Sequence, residues 1–219
     1  MMSSGINQNM QEYLNYVVDV SLELYKSAYP ELVSKVCSVP IEEVDSLTCE
    51  QIKENLFNMK IDFQQAKSKD EERISYDCGL PMESGKKYIT RKEDIINSVM
   101  LLKLYTPEVS KEMSQQEIKS IRMLEDLDYI THELGHAFEA KIIYDTILEN
   151  PSYLDYLAPY LLKLKGEEPI FDKGEAFAIS MERIILDKLS ETESYGISKA
   201  DIEELWTRKR INRLRIRKS

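Results

Sequence analysis

The stretch THELGHAFEA, residues 131–140, contains both histidines of a 219-residue chain. His132 and His136 stand four positions apart, and Glu133 directly follows the first of them. Upstream, Ile121, Leu124, Leu127, Ile130 and Leu134 recur at a helical step, and Ser114 with Glu117 reads as a capping box. The spacing predicts one long helix from Ile118 to about Leu148, closed by Asn150-Pro151. The quoted residues therefore fall inside a helix and not in a loop.

On a helix, positions i and i+4 share one face a turn apart, so the two imidazoles can aim at one point. Zinc prefers that kind of nitrogen ligand. Glu133 is turned by about 100° from His132. It is poorly placed to bind the same ion but can reach a water on it. Two ligands and one general base are the division of labour in an H-E-x-x-H zinc hydrolase. Two histidines placed at random would give this spacing, with the glutamate, in about one chain in a thousand.

Two histidines leave a hydrolytic zinc short of a third protein ligand. With no histidine remaining, that ligand must be a carboxylate or a cysteine. Cys78 lies in a β-prone stretch but has no metal-ligand spacing around it. The better candidates are in GEAFAISMERI, residues 174–184, where Glu175 and Glu182 are seven apart on one face of an apolar helix. A carboxylate buried among Ala176, Phe177, Ala178, Ile179 and Met181 needs a partner, and a metal is a strong one.

Away from this centre the chain reads as mainly helical. Met10, Leu14, Val17, Val18 and Leu24 predict a helix over 7–29, ended by Pro30. Leu47, Ile52, Leu56 and Ile61 extend a second helical run over 47–66. Residues 73–78 then alternate, 86–90 are short and β-prone, and Gly79, Pro81 and Gly85 lie between, which predicts a β-hairpin with a long turn. Such a hairpin could offer an edge strand to an extended peptide. Helices resume with a Thr90–Glu93 capping box. A helix follows Pro151, another covers 174–189, and a last one starts near Ser198 after the break at Gly196. The expectation is one α+β domain over 1–219: a helical part at 1–66, a core at 73–190 and a basic C-terminal helix at 198–219.

Charged residues make up 31% of the chain and the net charge is −10. Seven basic residues and no acid occupy 207–219, so the body before them carries −17. A strongly acidic body argues against a nucleic-acid partner, and the basic end is expected to rest on it as a solvated helix terminus. Cys37, Cys49 and Cys78 are an odd set without CxxC spacing, as reduced thiols in a cytoplasmic protein would be. Neither a signal peptide nor an apolar run long enough to span a membrane is visible in the sequence.

HELGH followed by the glutamate pair of GEAFAISMERI resembles the thimet oligopeptidase and oligoendopeptidase F family of zinc peptidases. The resemblance implies a zincin-like core that holds one zinc ion per chain and acts on peptides or proteins. It makes His132, His136 and Glu175 the metal ligands and Glu133 the catalytic base. Glu182 falls on the family's second glutamate, where it suits orienting an imidazole through its other N–H. Gly135 falls on the family's glycine within the motif, where it permits close packing beside the metal. The family's oxyanion-stabilising tyrosines come after the second glutamate, and Tyr195 is the one tyrosine of this chain beyond Glu182. EAFA at 175–178 is also similar to the ImmA/IrrE type of regulatory peptidase, although the helical run before His132 stands where those proteins place strands. A reading of another class is a zinc-holding, non-catalytic protein derived from a peptidase. Glu133 opposes it, because a structural site closes with four protein ligands and has no use for a base.

Overall fold

The computed structural model describes residues 8–77, 98–107, 109, 112–149, 173–192 and 194–216, with the side chains of 146–149, 173–176, 192, 194 and 210–216 left aside. Helices α1 (Gln8–Ala28), α2 (Pro30–Cys37) and α3 (Cys49–Asn55) come first. Three strands follow, β1 (Lys60–Gln65), β2 (Arg73–Asp77) and β3 (Val99–Leu104). Three further helices are α4 (Gln115–Glu149), α5 (Lys173–Thr192) and α6 (Lys199–Ile216). The architecture is mostly helical with one small mixed sheet, an α+β arrangement. Among the described residues no helix is long and apolar enough to cross a membrane. Cys37 and Cys49 are free thiols, and Cys78 lies outside the described residues.

The predicted caps and stops account for the long helices. Ser114 and Glu117 close a capping box: the Ser114 N–H donates to Glu117 Oε2 at 2.7 Å, and the Glu117 N–H donates to Ser114 Oγ at 3.4 Å. The apolar step then carries α4 through 35 residues. Ser198 and Asp201 start α6 in the same reciprocal way. Pro30 ends the long first helix and opens α2 at its first turn, where a missing N–H costs nothing.

The run 47–66 is not one helix. Helix α3 ends at Asn55, Phe57 and Asn58 take left-handed φ of 62° and 50°, and Lys60–Gln65 is a strand. Ile61 and Phe63 fit a two-residue period as well as a helical one. Packing against β3 selects the strand. The helical reading after Thr90 fails in the same way at Val99–Leu104, which is the central strand of the sheet. Residues 86–90, the Thr90–Glu93 box and the helix after Pro151 lie outside the described residues. The strand predicted at 73–78 is present as β2, and its partner is Val99–Leu104.

The strand order is β1-β3-β2. Strand β1 runs parallel to β3, pairing Lys60 with Val99 through Gln65 with Leu104. Strand β2 runs antiparallel, pairing Arg73 with Lys103 and Asp77 with Val99. This register puts Ile61, Phe63, Met100, Leu102, Leu104, Ile74 and Tyr76 on one face, and that face joins the hydrophobic core. Among the described residues β2 is an edge strand.

Helix α4 is the centre of the helical layer, with α1 and α5 packed along it. Two buried phenols tie α1 to α4. Tyr13 Oη donates to Asp126 Oδ2 at 2.9 Å, and Asp126 also receives Arg122 Nε at 3.1 Å and Nη2 at 3.0 Å. Tyr25 Oη donates to the Thr131 carbonyl at 2.7 Å, one residue before His132, while its ring lies 4.7 Å from that of Phe138. The segment 131–138 is therefore gripped from one side by the N-terminal helix.

Candidate metal centre

Helix α4 places His132 and His136 one turn apart, as their spacing requires. Their rings meet edge to face, and the two Nε2 atoms are 3.2 Å apart. Two nitrogens at about 2.0–2.1 Å from one ion, held at the tetrahedral angle, would be about 3.3–3.4 Å apart. The pair is thus already at the spacing of two ligands on one zinc. Both rings remain reachable from solvent, with side-chain exposures of 18% and 24%.

Helix α5 crosses α4 where both chains are small. A Cβ added at Gly135 would lie 2.9 Å from Ala178 Cα and 3.3 Å from Ala178 Cβ. This close crossing lets a glutamate on α5 reach the histidine face. Glu182 Oε2 stands 3.0 Å from His132 Nδ1, and the carboxyl is 1% exposed. Burial pushes the Glu182 carboxyl up. Hydrogen bonds from His132 and Asp128, with the Lys209 ammonium, outweigh that and hold it well below the usual carboxylate range. An ionised carboxylate only accepts, so His132 carries its proton on Nδ1 and keeps the Nε2 lone pair for a ligand. On the other ring, Glu139 Oε2 is 4.0 Å from His136 Nδ1.

Glu133 meets the sheet. Its Oε2 accepts the backbone N–H of Tyr76 on β2 at 2.9 Å. The N–H of Tyr76 is therefore turned away from β3, and the alternation of an antiparallel ladder turns Ile74 the same way. The side of β2 turned away from β3 thus meets α4 at Glu133. Next to it lies a cavity of about 570 Å³, walled by Ile74, Arg122, Asp128, Tyr129, Leu205 and Lys209.

Glu175 falls in the first turn of α5, and its side chain lies outside the described residues. Among the described residues no group of three or more His, Cys, Asp or Glu side chains is placed to hold a metal ion. Tyr195 is not brought to the histidines. It follows the end of α5, thirteen residues past Glu182, which is about 20 Å along a helix. There its ring packs edge-on against Tyr16 at 6.4 Å, and Tyr16 in turn lies under Lys119. Tyr195 takes a left-handed φ of 65° in a turn and is 45% exposed. These contacts seat it beside Tyr16, and sequence order after Glu182 says nothing about which way the chain turns.

Asp128, Lys209 and Tyr76 were not singled out by the sequence. Asp128 is legible in hindsight, because it stands four positions before His132 and so extends the same helix face by one turn. Lys209 and Tyr76 carry no local signal. Comparison of the chain with family models, with curated proteins and with solved structures finds no match.

Proposed function

We propose that this chain is a zinc-dependent metallopeptidase with a zincin-like core, hydrolysing peptide bonds of a peptide or protein substrate. The observation that carries the reading is the histidine pair. Its Nε2 atoms are 3.2 Å apart, and the far nitrogen of His132, Nδ1, stands 3.0 Å from Glu182 Oε2. His132, His136 and Glu175 are the residues that would hold the ion, and their mixed nitrogen and oxygen donors suit zinc. When bound, the metal supplies Lewis-acid polarisation of the scissile carbonyl and a more acidic water.

The remaining roles belong to the chain. Glu133 is the base that takes a proton from the attacking water and returns it to the leaving amine. Its bond to Tyr76 holds the carboxylate between the helix and the strand. An extended peptide needs strand partners for its own N–H and C=O groups, and the strand that meets Glu133 is β2. The adjacent cavity offers room for a substrate side chain.

The test is metal analysis of protein grown with zinc, followed by digestion of a peptide library. One equivalent of zinc is expected, lost in His132→Ala and in His136→Ala. Glu133→Gln should keep the metal and stop cleavage. A protein that carries no transition metal, or a Glu133→Gln variant that cleaves at the original rate, overturns the reading.

A further inference from the structure

Asp128 and Glu182 come from different helices, are each 1% exposed, and lie within hydrogen-bonding reach of each other. Two carboxyls so placed repel when both are ionised. Among the described residues, Lys209 of α6 is the one Lys or Arg bonded to either. Its Nζ is 2.6 Å from Asp128 Oδ1 and also bonds Glu182 Oε1. The other oxygen of Glu182, Oε2, holds His132 Nδ1. The Trp206 and Tyr129 rings flank the ammonium at 5.3 Å and 5.7 Å, so the lysine is held on its apolar sides as well.

We propose that Lys209 is a positioning residue of the histidine centre: clamped between Asp128 and Glu182, its ammonium fixes the Glu182 carboxylate and through it the ring of His132. An ammonium has three donors and no acceptor, so it can satisfy one oxygen from each carboxylate at once. Without it, Glu182 turns away from Asp128 or is held on that side by the Asp128 hydrogen bond alone. Either change disturbs the oxygen that orients His132. The docking of the basic C-terminal helix is thereby joined to the ligand geometry, and one residue of the basic end has a defined seat on the acidic body. As a statement about metal ligation this rests on the zinc reading. As a statement about the orientation of His132 it does not.

With only two histidines in the chain, the imidazole nitrogens can be read directly by proton–nitrogen NMR on metal-free protein, at a pH where both rings are neutral. His132 in the unmodified protein is expected as the Nδ1–H tautomer. Lys209→Met should convert it to a tautomer mixture and weaken zinc binding, measured against a chelating dye, by about tenfold, the lower end of the effect of groups that support a ligand. Lys209→Arg, which keeps the charge, should recover most of both. If Lys209→Met does not fold, by circular dichroism and Trp206 fluorescence, Lys209→Gln carries the same two measurements with the same expected direction. A folded Met or Gln variant with an unchanged His132 tautomer and unchanged zinc affinity overturns the proposal. So does an Arg variant that binds zinc as poorly as the Met variant, since the loss would then follow from the helix and not from the charge. An unmodified protein that binds no zinc overturns the peptidase reading instead, and the tautomer measurement still decides the role of Lys209.

Discussion

Replacing Gly135 by alanine probes the crossing that builds the centre. In most helices the change helps, because alanine is favoured over glycine by about 0.8–1.0 kcal/mol. Here the new Cβ would sit 2.9 Å from Ala178 Cα, 3.3 Å from Ala178 Cβ and 3.4 Å from Tyr25 Oη. Carbon atoms rest at about 3.5–4.0 Å. Backbone cannot turn aside as a long side chain can, so α5 must retreat by about 0.6 Å or more to reach that range. Overpacking of this kind costs about 1–3 kcal/mol. Set against the helix gain, the net loss of stability is about 0–2 kcal/mol.

The ligand geometry is the sharper readout. The same retreat lengthens the 3.0 Å contact between Glu182 and His132 beyond hydrogen-bonding distance. Loss of such a support weakens metal binding by about 10–100-fold. Zinc titration against a chelating dye measures this, with a thermal melt as the stability control. Adding Ala178→Gly should restore affinity only in part, because it removes the 3.3 Å contact and leaves the 2.9 Å one. A Gly135→Ala protein that melts higher and binds zinc as tightly as before would refute the argument that close helix approach sets the site.

Tyr195→Phe should leave kcat and KM of peptide cleavage unchanged, since the phenol packs on Tyr16 away from the histidines; a fall in kcat of tenfold or more would contradict that placement. The metal-free protein should lose stability as pH rises from about 4, the ordinary aspartate value, to about 8. Burial, with Glu182 adding to it, raises the Asp128 carboxyl, so over that window the folded state binds the proton that the unfolded state has released. The lowered Glu182 works in the opposite sense, but its contribution is complete once pH exceeds the ordinary glutamate value. Denaturant unfolding across this range should show the decline, and Asp128→Asn should flatten it; an equal slope in both proteins would show that Asp128 is not its source.

What the chain determines by itself is local and periodic. The facing of His132 and His136 follows from a four-residue step on a helix, and the apolar row before them makes that helix long. The caps at Ser114 and Ser198 and the stop at Pro30 act on backbone groups within a few residues of themselves. Short apolar stretches are different. Lys60–Gln65 and Val99–Leu104 fit more than one period, and they become strands because each supplies the other's backbone partners. No local preference could announce that pairing. The surroundings of the histidines are non-local in the same sense. Tyr76 meets Glu133 across 57 positions, Glu182 meets His132 across 50, and Lys209 meets Asp128 across 81. Those contacts exist because Gly135 lets α5 approach, because β2 takes the edge of the sheet, and because α6 docks where two buried carboxyls need a cation. The motif supplies the histidine pair and the glutamate beside it. Which proton each imidazole holds, and which direction Glu133 faces, depends on residues that only packing brings near.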